Sequence, residues 1–235
     1  MRIMSKLYDI YRKNYTDKLR KRGAKIGKNA KIYDPLRTYI DKTRPWLLTI
    51  GDYTLITSGV KILTHDYSLS TLRRVYGEWI GEGGITSIGE NCFIGMNSII
   101  LMGTKIGDNV IVGAGSVVHG NIPDNVVIAG NPAKIICTLQ EHYENRKKKT
   151  VNEVEKCILE YKDRFNKLPK PNELEGFKFL FCPRTEEKIE EYGFSFNASG
   201  DDSESIKKAF FNSKPLWNDY SELLKAIDIM EKNDG

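Results

Sequence analysis

Residues 88–118 read IGENCFIGMNSIILMGTKIGDNVIVGAGSVV, and this stretch decides the fold. An aliphatic residue recurs at every sixth position, and glycine follows most of these aliphatic residues. The aliphatic residues that share this phase are Ile88, Ile94, Ile100, Ile106, Val112 and Val118. A six-residue period fits neither an amphipathic helix nor a simple alternating strand, so a repeat architecture must be considered first.

The repeat predicts a mainly β protein, a left-handed parallel β-helix. Each coil would be a triangle, each hexapeptide would form one side, and each aliphatic side chain would fill the narrow prism. We expect glycine to relieve the backbone geometry at the turns. The position four residues after each aliphatic is small or β-branched, which suits a crowded corner. These corner residues are Cys92, Ser98, Thr104, Val110 and Ser116.

The chain is expected to have three segments. Residues 1–23 have helical spacing of apolar residues and many basic residues, so they form an N-terminal amphipathic helix that caps the prism or touches a membrane surface. Residues 24–140 form the β-helix, and because the phase breaks between Ile62 and Ile88, residues 65–84 leave it as an excursion loop that packs through its apolar residues. Residues 141–235 form a mostly α-helical C-terminal appendage of unassigned role.

Composition excludes several classes of protein. The 235 residues carry a net charge of +5, divided as +8 over residues 1–140 and −3 over residues 141–235. A modest positive charge without a recognisable motif does not support nucleic-acid binding. The N-terminal stretch has charges every few residues and is not expected to act as a signal peptide, and no run of about 20 apolar residues occurs in the sequence. The four cysteines form no CxxC pair, so we expect a reducing, cytoplasmic location and no metal.

His65 is the histidine whose position favours chemistry, because it stands where the chain leaves the prism. A neutral imidazole there could accept a proton. Taken alone, the pair His65 and Asp66 is a weak signal, since such a pair also stabilises a turn. His142 lies in a charged, helical stretch and is expected to be a solvated surface residue.

Three stretches resemble the hexapeptide-repeat acyltransferases, near the galactoside and maltose acetyltransferases. They are IDKTRPWLLTIGDYTLITSGVKILTHD at 40–66, the repeat at 88–118, and IPDNVVIAGNPAKII at 122–136. The resemblance covers about residues 24–140. It implies direct transfer of an acetyl group from acetyl-CoA, with no acyl-cysteine and no metal.

The resemblance also implies roles for individual residues. His65 would be the general base, and backbone N–H groups near Gly95 and Met96 would stabilise the oxyanion. The positions that match cofactor contacts are Met96, Ala114, His119, Gly120 and Lys134. His119 and Gly120 depart from the usual Thr-Lys of the family, and Cys137 replaces a basic residue. The candidates for acceptor binding are Asp41, Arg44, Asp66 and Tyr67, with Arg44 for an anionic group and Trp79 as a further face for a sugar. Asp41 and Arg44 could equally form a turn, and Tyr67 and Trp79 are more often residues that anchor a loop.

The function that this resemblance implies is O-acetylation of a sugar hydroxyl in surface polysaccharide biosynthesis. The partners would be acetyl-CoA, a sugar or nucleotide-sugar acceptor, and two further copies of the chain in a homotrimer. Two alternatives stay open. One is an N-acetyltransferase that acts on a nucleotide-linked amino sugar, and the other is a non-catalytic β-helix scaffold or binding protein.

Overall fold

A computed structural model describes residues 2–194, 196 and 203–233, without the side chains of residues 2–9, 203 and 228–233. Met1 and residues 195, 197–202 and 234–235 of the segments predicted above lie outside this description. The chain divides into two compact units, Met1–His142 and Tyr143–Gly235.

The first unit is a left-handed parallel β-helix, which confirms the predicted fold class. Its strands are numbered along the chain and stack on three faces. Face A contains β1 (Lys25–Ile26), β4 (Leu48–Ile50), β7 (Thr86–Ile88), β10 (Lys105–Ile106) and β13 (Asn121–Ile122). Face B contains β2 (Lys31–Ile32), β5 (Leu55–Ile56), β8 (Phe93–Ile94), β11 (Ile111–Val112), β14 (Val126–Gly130) and β15 (Ala133–Thr138). Face C contains β3 (Tyr39–Ile40), β6 (Lys61–Ile62), β9 (Ile99–Ile100) and β12 (Val117–Val118).

The in-phase aliphatic side chains fill the prism, as the period predicts. All six between Ile88 and Val118 are at most 4% exposed. The corner positions are buried as well, and their polar atoms bond to backbone carbonyls. Ser98, for example, donates to Gly113, and Cys92 donates to Gly107. Burial of this kind stabilises the fold by about 1.5–3 kcal/mol for each large aliphatic side chain.

The reason for the glycine after each aliphatic differs from the one predicted. The backbone of Gly95 is not left-handed; the positive φ angles belong to residues two positions later, such as Asn97 and Gly115. A Cβ on Gly95 would instead lie 2.6 Å from the backbone nitrogen of Ala114 and from the carbonyl oxygen of Val112. Glycine is therefore required because successive coils approach too closely for a side chain.

Both ends of the prism are covered. Helix α1 (Arg2–Lys21) lies at the first coil, with Tyr15 and Leu19 buried in the same apolar core as the strands. The Arg20 guanidinium donates to the carbonyl oxygens of Ile26 at 3.0 Å and Gly27 at 2.6 Å. At the last coil, β15 turns back antiparallel to β14. None of the described helices is both long and apolar enough to span a membrane.

The excursion loop contains a helix, α2 (Leu69–Tyr76), which the period did not predict. Gly77 ends it in the left-handed conformation, with a φ of 74°. The loop returns to the prism where the Gly84 N–H donates to the Thr64 carbonyl at 3.0 Å. Its large side chains do not pack as expected, because no residue of α2 is buried and Trp79 is 88% exposed.

The second unit is built around α3 (Leu139–Phe165), which begins at the end of the first unit. It continues with two short 3-10 helices (Pro171–Glu173 and Lys178–Leu180) and with α4 (Glu186–Glu191), α5 (Ser203–Asn212) and α6 (Tyr220–Asn233). Its core is aromatic and aliphatic, with Phe181, Val154 and Leu223 fully buried. This apolar core makes the second unit a packed structure.

Candidate active site

The imidazole of His65 is held by a buried carboxylate. His65 leaves face C just after β6, and Asp41 follows β3, the neighbouring strand on that face. The Nδ1 atom of His65 lies 2.5 Å from Oδ2 of Asp41. Asp41 is fully buried, whereas the His65 side chain keeps 11% of its surface exposed. One ring nitrogen is therefore engaged and the rest of the ring reaches solvent.

Two threonines hold Asp41 in its charged form. The Thr43 N–H and hydroxyl donate to Oδ1 at 2.8 and 2.7 Å, and the Thr64 hydroxyl donates to Oδ2. Burial raises the pKa of Asp41, but the hydrogen bonds from Thr64, Thr43 and His65 outweigh it and hold the pKa well below its usual range. The group is a carboxylate at neutral pH and can only accept hydrogen bonds.

This geometry fixes the chemistry that His65 can perform. Because Asp41 is ionised, the short contact requires the proton on Nδ1 of His65. The neutral ring then carries its lone pair on Nε2, where it can accept a proton from a substrate hydroxyl. Asp41 was predicted to bind the acceptor, but its buried position makes it the group that orients the base. Thr43 and Thr64, which the sequence analysis did not single out, complete this arrangement.

The two residues after His65 have different surroundings. Asp66 is exposed, and its Oδ1 accepts from the Ser68 N–H at 2.7 Å, which is a turn contact. Its pKa is lowered, first by the hydrogen bonds from Ser68. Tyr67 is 73% exposed and meets the His65 ring edge to face, with ring centroids 4.9 Å apart. Tyr67 is thus an open aromatic surface beside the base.

Arg44 anchors the excursion loop. It was predicted to bind an anionic group of the acceptor, but its guanidinium donates to the backbone carbonyl of Glu82. A Cβ on Gly83 would lie 2.6 Å from the same guanidinium, so the glycine lets the arginine approach. The Glu82 carboxylate in turn accepts from the Asp66 N–H at 2.6 Å. The role of Glu82 in anchoring the loop was not predicted from the sequence. The glycines beside it, such as Gly83, were the feature that could have indicated a close contact there.

Two of the predicted cofactor contacts lie at another corner of the prism. Met96 and Ala114 occupy the corner between faces B and C, whereas His65 lies at the corner between faces C and A. Met96 is 53% exposed, and its carbonyl accepts from the Gly115 N–H at 2.8 Å. The Gly95 N–H is already bonded to the Val112 carbonyl at 2.9 Å. Gly95 therefore has no free donor for an oxyanion, contrary to the prediction.

The remaining cofactor candidates are spread over two places. His119 and Gly120 are exposed. They lie at the same corner as His65, between faces C and A, but two strand positions further along the stack. Strands are about 4.8 Å apart, so this offset is about 10 Å. Lys134 is exposed on β15, at the end of face B. One chain does not bring these five positions together around His65.

No group of three or more histidine, cysteine, aspartate or glutamate side chains could hold a metal ion within the part of the chain that the structure describes.

Comparison with known proteins shows the family to which this chain belongs. A family model described as the hexapeptide repeat of succinyl-transferase matches residues 85–119. Protein CapG of Staphylococcus aureus is 42% identical over 61% of this chain and 83% of its own length. A protein of Escherichia coli named "Putative colanic acid biosynthesis acetyltransferase WcaF" is 35% identical over 50% of this chain and 71% of its own length. The chain belongs to the hexapeptide-repeat acyltransferases.

The similarity of this acyltransferase to its relatives is partial. The galactoside O-acetyltransferase of Escherichia coli is 37% identical, but the match covers 42% of this chain and 49% of that enzyme. Even the match with CapG leaves more than a third of this acyltransferase outside it.

Proposed function

We propose that this chain is an acetyl-CoA-dependent O-acetyltransferase that acts on a sugar hydroxyl in surface polysaccharide biosynthesis. The observation that carries the proposal is the buried Asp41 carboxylate on Nδ1 of the partly buried His65, whose side chain keeps 11% of its surface exposed. The names of WcaF and of the galactoside O-acetyltransferase support the sugar acceptor and the polysaccharide pathway.

The proposed reaction is a direct transfer. The acceptor hydroxyl gives its proton to Nε2 of His65 while its oxygen attacks the thioester carbonyl carbon. The new C–O bond forms, the C–S bond breaks, and the thiolate of CoA leaves and takes up the proton from His65. Asp41 stabilises the imidazolium between these two proton transfers, because its negative charge lies against Nδ1.

Acetyl-CoA would be held by Met96, Ala114, His119, Gly120 and Lys134, as the resemblance implies. The Met96 N–H has no hydrogen-bond partner among the described residues, so it can donate to the oxyanion where Gly95 cannot. The small side chain of Ala114 lets a pantetheine arm approach the backbone. Asp66 and Tyr67, on the open side of His65, are the proposed acceptor contacts, and the exposed Trp79 is a further aromatic face.

We propose a homotrimer with shared active sites. The base and two of the donor positions lie at different corners of one prism, so an active site is completed when a second chain brings its corner against the first. Exposed apolar side chains support this association, because monomeric proteins rarely leave such patches open. They include Val75, Tyr76 and Trp79 on the loop and Ile85, Phe93 and Met96 on the prism.

The test is transfer by the purified chain, with acetyl-CoA, a panel of sugars and nucleotide sugars, and detection of the released thiol. His65→Ala should lower turnover by about 100-fold or more, because a positioned base contributes about that much. His142→Ala is the matched control, since this imidazole lies on α3, and it should keep full activity. Equal turnover in the two variants would contradict the role of His65, and absence of any transfer would favour a scaffold protein.

A further inference from the structure

A cavity lies beside the proposed active site, between α1 and the first coil of the prism. Its volume is about 310 Å³, and its walls come from α1, from the turn that follows α1 and from Lys42. Neither the residues of the repeat nor the proposed acetyl transfer accounts for it. It is a candidate for a second ligand-binding region.

Among the described residues, every charged side chain that lines this cavity is a cation. Lys18, Arg22 and Lys42 line it, together with the amide of Asn14, and the lining includes no carboxylate. None of the three cations forms an ion pair with a described residue. Asp17, the neighbouring acid on α1, is bonded to Arg20 at 2.8 Å. The cavity therefore presents unneutralised positive charge.

A buried hydroxyl in the same wall lacks a partner. Tyr15 is 9% exposed, and its Oη atom makes no hydrogen bond. Burial, followed by the nearby Tyr11, raises the pKa of Tyr15 to about 12; the Ile40 backbone opposes this rise but lies outside hydrogen-bond geometry. An unpaired buried hydroxyl costs free energy, which an acceptor atom in the cavity would recover. A ligand that suits this wall accepts hydrogen bonds and carries negative charge.

The cavity is linked to the catalytic pair through the chain. Lys42, which lines the cavity, directly follows Asp41, whose carboxylate lies on Nδ1 of His65. The Lys42 ammonium lies 5.2 Å from the centre of the Tyr15 ring. Lys42 therefore joins the cavity to the segment that carries the partner of His65.

We propose that this cavity binds the phosphate or diphosphate group of a phosphorylated sugar acceptor. Lys18, Arg22 and Lys42 would neutralise the phosphate, and Tyr15 Oη would donate to one of its oxygens. The sugar ring would lie against Tyr67, with its hydroxyl at Nε2 of His65. This assignment rests on the proposed function, because it names the class of acceptor for that site.

The experiment measures binding of inorganic pyrophosphate to the full chain by calorimetry. Lys18→Gln, Arg22→Gln and Lys42→Gln should each weaken binding by about tenfold or more, because each removes a charge-assisted contact. Lys21→Gln is the matched control: it lies on the same helix, is exposed and does not line the cavity. Binding that is absent, or that Lys21→Gln weakens as much as Lys42→Gln does, would overturn the proposal.

Tyr15→Phe separates a binding role from a structural one. Loss of the unpartnered hydroxyl should leave the melting temperature unchanged or higher, while pyrophosphate binds more weakly. A lower melting temperature with unchanged binding would contradict the role of Tyr15 Oη.

A second titration tests the source of the phosphate. Pyrophosphate should still bind in the presence of saturating CoA; displacement by CoA would mean that the cavity serves the donor, and the acceptor assignment would be wrong. His65→Ala should bind pyrophosphate normally. Transfer without pyrophosphate binding would refute the cavity alone. Binding without transfer would refute the proposed function, and with it the acceptor assignment, while the anion site itself would remain.

Discussion

At the scale of the residue, the pairing of His65 with Asp41 depends on an irregular coil. His65 was predicted as the base, and Asp41 was assigned to the acceptor because the family resemblance places its segment, IDKTRPW, beside the active site. In the structure the strand residue is Ile40, which pairs with Ile62. This places Asp41 beside the exit of the loop. The regular six-residue period cannot predict the contact between Asp41 and His65, because Asp41 lies in the coil where that period is interrupted.

Asp41→Asn should lower turnover by about 100-fold, because an amide no longer fixes the proton on Nδ1 of His65 or stabilises the imidazolium. The Michaelis constant for acetyl-CoA should hardly change, since Asp41 lies away from the donor positions. Steady-state thiol release measures both constants. Asp108→Asn is the control, because Asp108 is exposed at another corner and bonds to the backbone of Glu90. A loss of equal size in both variants would contradict the orienting role.

Asp41→Asn should also change how the free energy of unfolding depends on pH in acid. The folded state holds the pKa of Asp41 below its usual range, so the unfolded chain binds more protons as the pH falls below about 4. The stabilisation by this carboxylate is therefore complete above that pH and is lost as the pH falls through the folded pKa. Urea denaturation of Asp41→Asn should give a flatter decline below pH 4 than the parent, and parallel curves would exclude the effect.

At the scale of the element, the hexapeptide is a unit that stacks with its equivalent in the next coil. The sequence predicted which side chains of Ile88, Ile94 and Ile100 point inward, because the period is regular and the prism is narrow. It did not predict α2, whose eight residues leave the repeat, nor that Trp79 is exposed. The loop lacks a period, and its large side chains Tyr76 and Trp79 stay exposed in the chain described here.

Gly95→Ala should destabilise the first unit by about 2 kcal/mol or more, because the new Cβ would meet backbone atoms at 2.6 Å that cannot move independently. Thermal unfolding followed by circular dichroism measures the change. Gly81→Ala is the control, since a Cβ there meets nothing within 4 Å, and a surface change of this kind shifts stability by about 0.5 kcal/mol at most. Equal melting temperatures would mean that the coils can separate to admit a side chain.

At the scale of the whole molecule, the two units differ in how far the sequence explains them. The first unit has a repeat that predicts its fold, and the family resemblance proposes His65 as its base. The second unit has a packed core around Phe181, with no pattern that assigns it a role. The cavity beside α1 was not predicted, because its walls come from residues about twenty positions apart that meet through tertiary packing. The proposed trimer belongs to this scale.

Sedimentation should give a mass of three chains of 26.8 kDa. Trp79→Glu should shift the mass towards one chain and abolish transfer, because a charge on the exposed loop opposes burial against a neighbour. Leu168→Glu, an exposed position in the second unit, should leave the trimer intact. A monomeric parent, or dissociation by both variants, would argue against this surface.

The covered ends of the prism also decide how copies of this protein can associate. A stack of parallel strands is a template for its own continuation, and an open end would recruit another chain in the manner of a growing fibre. Here Arg20 occupies carbonyl oxygens of the first coil, and β15 reverses direction at the last. In the proposed trimer, association would use the sides of the prism, where a rotation that closes on itself gives a finite ring. Helix α1 and strand β15 therefore reduce the number of open strand edges through which copies of this fold could aggregate.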